Sequence, residues 1–163
     1  MSSLTKGPDL KPPLKAVNKA IEKIWKTTEF EIIDNNEISC NNSGCWYKII
    51  SNQQELGLLY NGRINSCRSG GCSVNLSEEA ISYEYFDYLL FTNNNGKVLW
   101  VKIYNYQATQ GHEVMSRGWL NQFKGIHSGT ALEFGRDIET ISGATVSASA
   151  LTDDIQNVLS CAF

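Results

Sequence analysis

The chain has 163 residues, a formal net charge of −3 and a pI near 5.4. A hydrophobic fraction of 42% with 4 Trp, 7 Tyr and 6 Phe supports a real core, and 13 Gly with 3 Pro excludes collagen-like composition. The densest apolar runs, Tyr88–Phe91 and Val98–Val101, fall far short of the ~20 residues of a spanning helix, and the acidic balance argues against a nucleic-acid binder.

Residues 1–13 read as a flexible lead-in ending in Pro12-Pro13, and 14–163 as a single domain. Residues 1–26 contain no apolar signal core, which taken at face value gives a cytoplasmic chain. Leu14 to Lys26 has helical periodicity, with Leu14, Val17, Ile21, Ile24 and Trp25 on one face and Lys15, Lys19, Lys23 and Lys26 mostly on the other. Residues 1–26 hold six Lys against Asp9 and Glu22, net +4, which leaves −7 for the rest. Such a helix can lie on a membrane or dock on a partner, or it can pack on its own sheet with its lysines in water. The modest apolar face favours the sheet.

Short strands follow at Phe30–Ile33, Trp46–Ile50 and Leu56–Tyr60. Tyr83–Phe91 and Lys97–Tyr106 are the clearest pair, joined by Thr92-Asn93-Asn94-Asn95-Gly96, where Asn-Gly predicts a hairpin with both residues at positive φ. Glu113–Phe123 predicts a short helix, 124–137 a loop, and the segment after Thr145 to about Leu159 a final helix with Leu151, Ile155, Val158 and Leu159 as its stripe. The order predicts an α+β fold, an antiparallel sheet with flanking helices.

Four of the five cysteines form two Cys-x4-Cys pairs, Cys40/Cys45 and Cys67/Cys72, set among Asn, Ser, Gly and Arg. Disulfides lead, which implies an oxidising, extracytoplasmic or periplasmic compartment. A four-thiolate zinc or iron–sulfur site comes second and reduced pairs third. Cys161 is read as unpaired. His112 and His127 are the only histidines, and two without a third ligand make a poor metal site.

Ile138–Leu151 is the chemically informative stretch: a small-residue loop opening a helix, with Ser142, Thr145 and Ser147 around Gly143-Ala144. Unpaired N–H groups and the helix dipole favour an anion there, and phosphate fits. The competing reading is helix capping by Ser or Thr.

Ser142-Gly143-Ala144-Thr145 resembles the covalent flavinylation motif of the FMN-binding domain family. That family has members within the sodium-pumping NADH:quinone reductase and within the related Rnf-type electron-transport complex. Tyr106–Glu113 resembles the family's flavin loop, and Trp119-Leu120-Asn121-Gln122-Phe123-Lys124-Gly125 its Trp-Leu-x-Gln-Phe-x-Gly stretch. The likeness covers 80–160 well and 28–79 in outline. Glu139 stands where the family usually has Asp, and Ala108-Thr109-Gln110-Gly111 lacks the family's Pro.

The resemblance implies FMN joined through its phosphate to Thr145, with Ser142, Gly143, Ala144 and Val146 around the phosphate. Thr109, Gln110, Gly111 and His112 would lie near the ring or ribityl chain. Trp119 would stack on the ring or serve as core, and Gln122 would donate to a flavin oxygen or face solvent. No catalytic residue and no metal ligand is implied. The chain would be an electron-carrier domain or part of an oxidoreductase complex rather than a stand-alone enzyme. Its partners would be a Mg-dependent flavin transferase using FAD and membrane-associated redox proteins, on the extracytoplasmic side. The alternatives are a disulfide-stapled extracytoplasmic binding module of the same fold without flavin, a noncovalent flavoprotein, and a metal–thiolate protein on Cys40, Cys45, Cys67 and Cys72.

Overall fold

A computed structural model describes residues 11–38, 44–66, 84–108 and 110–163. Its order is α1 (Leu14–Trp25), β1 (Glu31–Asp34), β2 (Gly44–Ser51), β3 (Gln54–Ser66), β4 (Glu84–Thr92), β5 (Val98–Gln107), α2 (Arg117–Leu120) and α3 (Thr145–Ala162). The strands form one antiparallel meander in sequence order, so every neighbour is also the next strand along the chain. This is the expected α+β architecture.

Side chains alternate across the sheet, so β2 to β5 each feed two cores. Ile49, Leu59, Leu89 and Phe91 meet Val17, Ala20 and Ile21 of α1. Leu58, Tyr60, Phe86, Tyr88 and Leu90 meet Leu151, Ile155, Val158 and Leu159 of α3. The two helices thus cover opposite faces. Trp25 closes the first core edge-on to Phe91, with ring centroids 6.3 Å apart.

Helix α1 buries its apolar face on the sheet and leaves Lys15, Lys19 and Lys23 exposed, as the second reading of its pattern expects. Leu14 departs from the pattern. It lies in the first turn, beyond the packed stretch, and is 66% exposed. The helix ends where Lys26 turns left-handed, at φ 57°.

Two further expectations are corrected. The β4–β5 turn has Gly96 alone at positive φ, not Asn95. Asn93 Oδ1 instead accepts from the N–H groups of Asn95 and Lys97, both at 2.9 Å, and holds a wider loop. The left-handed pair occurs between β2 and β3, at Asn52 and Gln53, where no glycine marks it. The helix expected over Glu113–Phe123 is broken into a 3₁₀ turn at His112–Met115, α2, and a 3₁₀ turn at Asn121–Phe123. Extended Ser116, at ψ 129°, interrupts it.

Cys40, Cys67 and Cys72, and most of the 1–13 lead-in, lie outside the described residues. Cys45 is exposed at the start of β2, where its strand position sets it opposite Asn61. No two described cysteines are joined to each other. Cys161, on the exposed last turn of α3, is disulfide-bonded rather than unpaired.

Candidate functional site

The loop before α3 is held from below by the Trp119-Leu120-Asn121-Gln122 stretch. The Trp119 indole N–H donates to the Glu139 carbonyl at 2.7 Å. The Gln122 side-chain carbonyl accepts from the Glu139 N–H at 2.9 Å, and its amide donates to the Trp119 carbonyl at 3.1 Å. Trp119 is buried edge-on against Phe123, with centroids 5.4 Å apart. Both side chains are therefore committed to carrying residue 139. Trp119 takes the core role that the sequence left open beside ring stacking. Gln122 is neither aimed at a ligand nor simply facing solvent, because both ends of its amide are engaged.

Beyond this support the backbone turns through Ile141–Ala144. The Ala144 N–H donates to the Ile141 carbonyl at 3.3 Å, and Gly143 adopts φ +84°. A Cβ on Gly143 would meet Glu113 Oε1 at 3.0 Å, so the loop after β5 lies directly against this turn. Position 143 needs glycine for its φ; the Glu113 side-chain end that a Cβ would meet is flexible.

Helix α3 then starts on Ala144 as N-cap, with no side-chain capping bond. The capping reading of Ser142 and Thr145 is thereby corrected: Ala144 occupies the capping position and offers no side-chain acceptor. The first-turn N–H groups of a helix have no partner within the helix, so here they are left to solvent or to an anion. No acidic side chain occupies that turn. Thr145 and Val146 are exposed, Ser142 and Gly143 are exposed just before them, and Ala144 is buried beneath.

The flavin-like loop is tied to the same turn. Tyr106 donates its hydroxyl to the Gln110 carbonyl at 2.6 Å. The buried Ser147 hydroxyl lies 3.0 Å from the Tyr106 hydroxyl oxygen and, with the tyrosine proton committed, is the donor. Burial raises the Tyr106 pKa, partly offset by the Ser147 bond. Gly111, at φ +86°, fits beneath: a Cβ there would lie 2.6 Å from the Tyr106 hydroxyl and 2.9 Å from Ser147 Oγ. The His112 ring rests 4.8 Å from the Tyr106 ring, which stacks on Phe86 at 5.4 Å.

Gln110, Gly111 and His112 are thus brought to the first turn of α3, together with Ser142–Val146. Thr109 lies outside the described residues. Sequence reasoning missed Tyr106 as the group that ties the loop after β5 to the first turns of α3 through Ser147. It also offered Ser147 as a ligand hydroxyl, whereas that hydroxyl is spent inside. A signal for Ser147 was present: it lies four residues before Leu151, on the apolar stripe. Among the described residues no group of three or more His, Cys, Asp or Glu is placed to hold a metal ion. No described helix is long and apolar enough to cross a membrane.

Residues 87–160 match the family model described as FMN-binding domain. This part of the chain belongs to the FMN-binding domain family. The match runs from Asp87 in β4 to the last turn of α3, so it contains both loops that meet at Thr145. It supports a flavin-binding, electron-transfer role. Comparison with curated proteins finds no match.

Proposed function

We propose that the chain is an electron-transfer flavoprotein holding FMN through a phosphoester on the Thr145 hydroxyl. One observation carries the reading. In an FMN-binding domain, the threonine that ends Ser-Gly-Ala-Thr is exposed on the first turn of an 18-residue helix that lacks a side-chain cap. A phosphate on that hydroxyl would sit beside the N–H groups that need an acceptor, at the positive end of the helix dipole. Ser142 and the backbone of Gly143, Ala144 and Val146 would line it. Gln110, Gly111 and His112 would face the rest of the cofactor.

Attachment would require a flavin transferase. The Thr145 Oγ–P bond forms, the pyrophosphate bond of FAD breaks, AMP leaves and the hydroxyl proton passes to solvent. Once bound, the isoalloxazine supplies the redox chemistry by accepting and donating electrons. The protein's part is to fix its position and present it to partners, which in this reading are membrane-associated redox proteins on the extracytoplasmic side. A covalent tether suits that side because lost FMN is not replaced there. Glu139, exposed at the loop's start, keeps the charge of the family's usual Asp but adds a methylene, so modification would be slower.

The test is flavin fluorescence in a denaturing gel after co-expression with an active transferase. A fluorescent band for the wild type and none for Thr145→Ala supports the reading. Flavin that co-purifies but leaves on denaturation would assign noncovalent binding instead.

A further inference from the structure

Helix α1 carries a charge pattern that the flavin reading does not use. Lys15, Lys19 and Lys23 follow at four-residue steps within α1 and form one stripe, with Lys11 just before the helix and Lys26 at its left-handed end; all five are exposed. Within 11–26 the only acid is Glu22, giving net +4 in a chain whose total is −3. Like charges at four-residue spacing oppose helix formation. Among the described residues none of the five is paired with a carboxylate. Lys23 lies over the Trp100 ring at 4.8 Å, and the others extend from the surface. Lys102, paired across the sheet with Leu89, adds a cation to the same face.

We propose that this stripe docks the protein on an anionic phospholipid surface. The helix does not insert, because its apolar face is already spent on Val17, Ala20 and Ile21 against the sheet. The contact is electrostatic, along a helix about 18 Å long, with exposed Leu14 at its head. The chemistry favours a fluid array of phosphates over a protein partner. Protein hot spots use Trp, Tyr and Arg in pockets, and this stripe has only lysine, a hydrated point charge without directional demand. The orientation follows from the fold. Helices α1 and α3 lie on opposite faces, so docking through α1 turns Thr145 and its loops away from the surface. The inference rests on α1 alone and stands or falls apart from the flavin.

The test is co-sedimentation of the full chain with phosphatidylcholine vesicles, with and without 30% phosphatidylglycerol, at low salt and at 0.5 M NaCl. Binding only to the anionic vesicles, lost at high salt, is expected. Each lysine contributes roughly a five-fold factor near such a surface. K11Q/K15Q/K19Q therefore weakens binding roughly a hundred-fold, and the matching Lys→Arg variant retains it. Circular dichroism checks that both variants fold. Equal binding by the Gln variant, or none by the wild type to anionic vesicles at low salt, overturns the proposal. So does lysine-dependent self-association of lipid-free protein without vesicle binding, which would assign the stripe to a second copy.

Discussion

The two long helices cover opposite faces of one sheet and solve different problems. Helix α1 buries only Val17, Ala20 and Ile21 fully, and turns a lysine stripe to solvent. Helix α3 buries seven residues, from Ser147 to Leu159, yet leaves its first turn open and without a side-chain cap. A helix end with unpaired N–H groups is costly, so it needs anchoring elsewhere. Helix α3 can expose an open first turn because the turns below it hold it to Tyr60, Tyr88 and Leu90. Helix α1 also starts without a side-chain cap, on Pro13, but it presents a run of lysines along its length rather than small residues at an open first turn.

The largest effect that sharpens this contrast is loss of the α3 anchor. Leu151→Ala is expected to cost about 2–5 kcal/mol. Leu14→Ala on α1 should stay within about 0.5 kcal/mol, because that side chain is mostly in water. Chemical denaturation of both variants measures the difference.

Next comes the fit of the two loops. Gly111→Ala must accept positive φ and displace both the Tyr106 hydroxyl and Ser147, at an expected cost of about 2–4 kcal/mol. Gly143→Ala meets only the flexible end of exposed Glu113 and should cost about 1–2 kcal/mol. If thermal unfolding ranks them the other way, Gly111 is not the tighter joint.

The middle of α3 is held by a polar contact. Tyr88, fully buried, donates its hydroxyl to Asp154 at 2.5 Å. Tyr88→Phe strips a largely desolvated carboxylate of this donor and should cost about 1–3 kcal/mol. Desolvation raises the Asp154 pKa, with the Tyr88 bond opposing it, and burial pushes the Tyr88 phenol well above its usual range. The sign of the pH effect follows. A carboxyl whose folded pKa is raised binds more protons folded than unfolded. Its contribution is complete below the unfolded value near 3.8 and is lost as pH rises through the folded value. Asp154→Asn should therefore gain stability relative to wild type across that window and run parallel above it. This is the smallest effect, read from denaturation midpoints between pH 3.5 and 7.

Much of the fold was legible in the sequence. The α1 periodicity and the alternation of the strands report burial directly, and each strand pairs with its neighbour in the chain. The Asn95-Gly96 hairpin was legible in place but not in geometry, because the Asn93 side chain and not a second left-handed residue closes it. The turn at Asn52-Gln53 carried no glycine and gave no signal. At the site, Ser142–Thr145 was legible from its small residues and from the family resemblance. Trp119 and Gln122 were legible as important but not in role. Their hydrogen bonds run to the backbone of Glu139, and a backbone partner leaves no mark in side-chain pattern. Tyr106 and Ser147 meet across 41 positions, a contact that no local window contains.

The most direct test of the central claim is intact mass with peptide mapping of the chain co-expressed with a flavin transferase that is active on a control acceptor. Covalent attachment at Thr145 predicts one added FMN minus water, confined to the peptide containing Thr145, and no addition in Thr145→Ala. An unmodified wild-type chain, or an adduct that persists in Thr145→Ala, would contradict it.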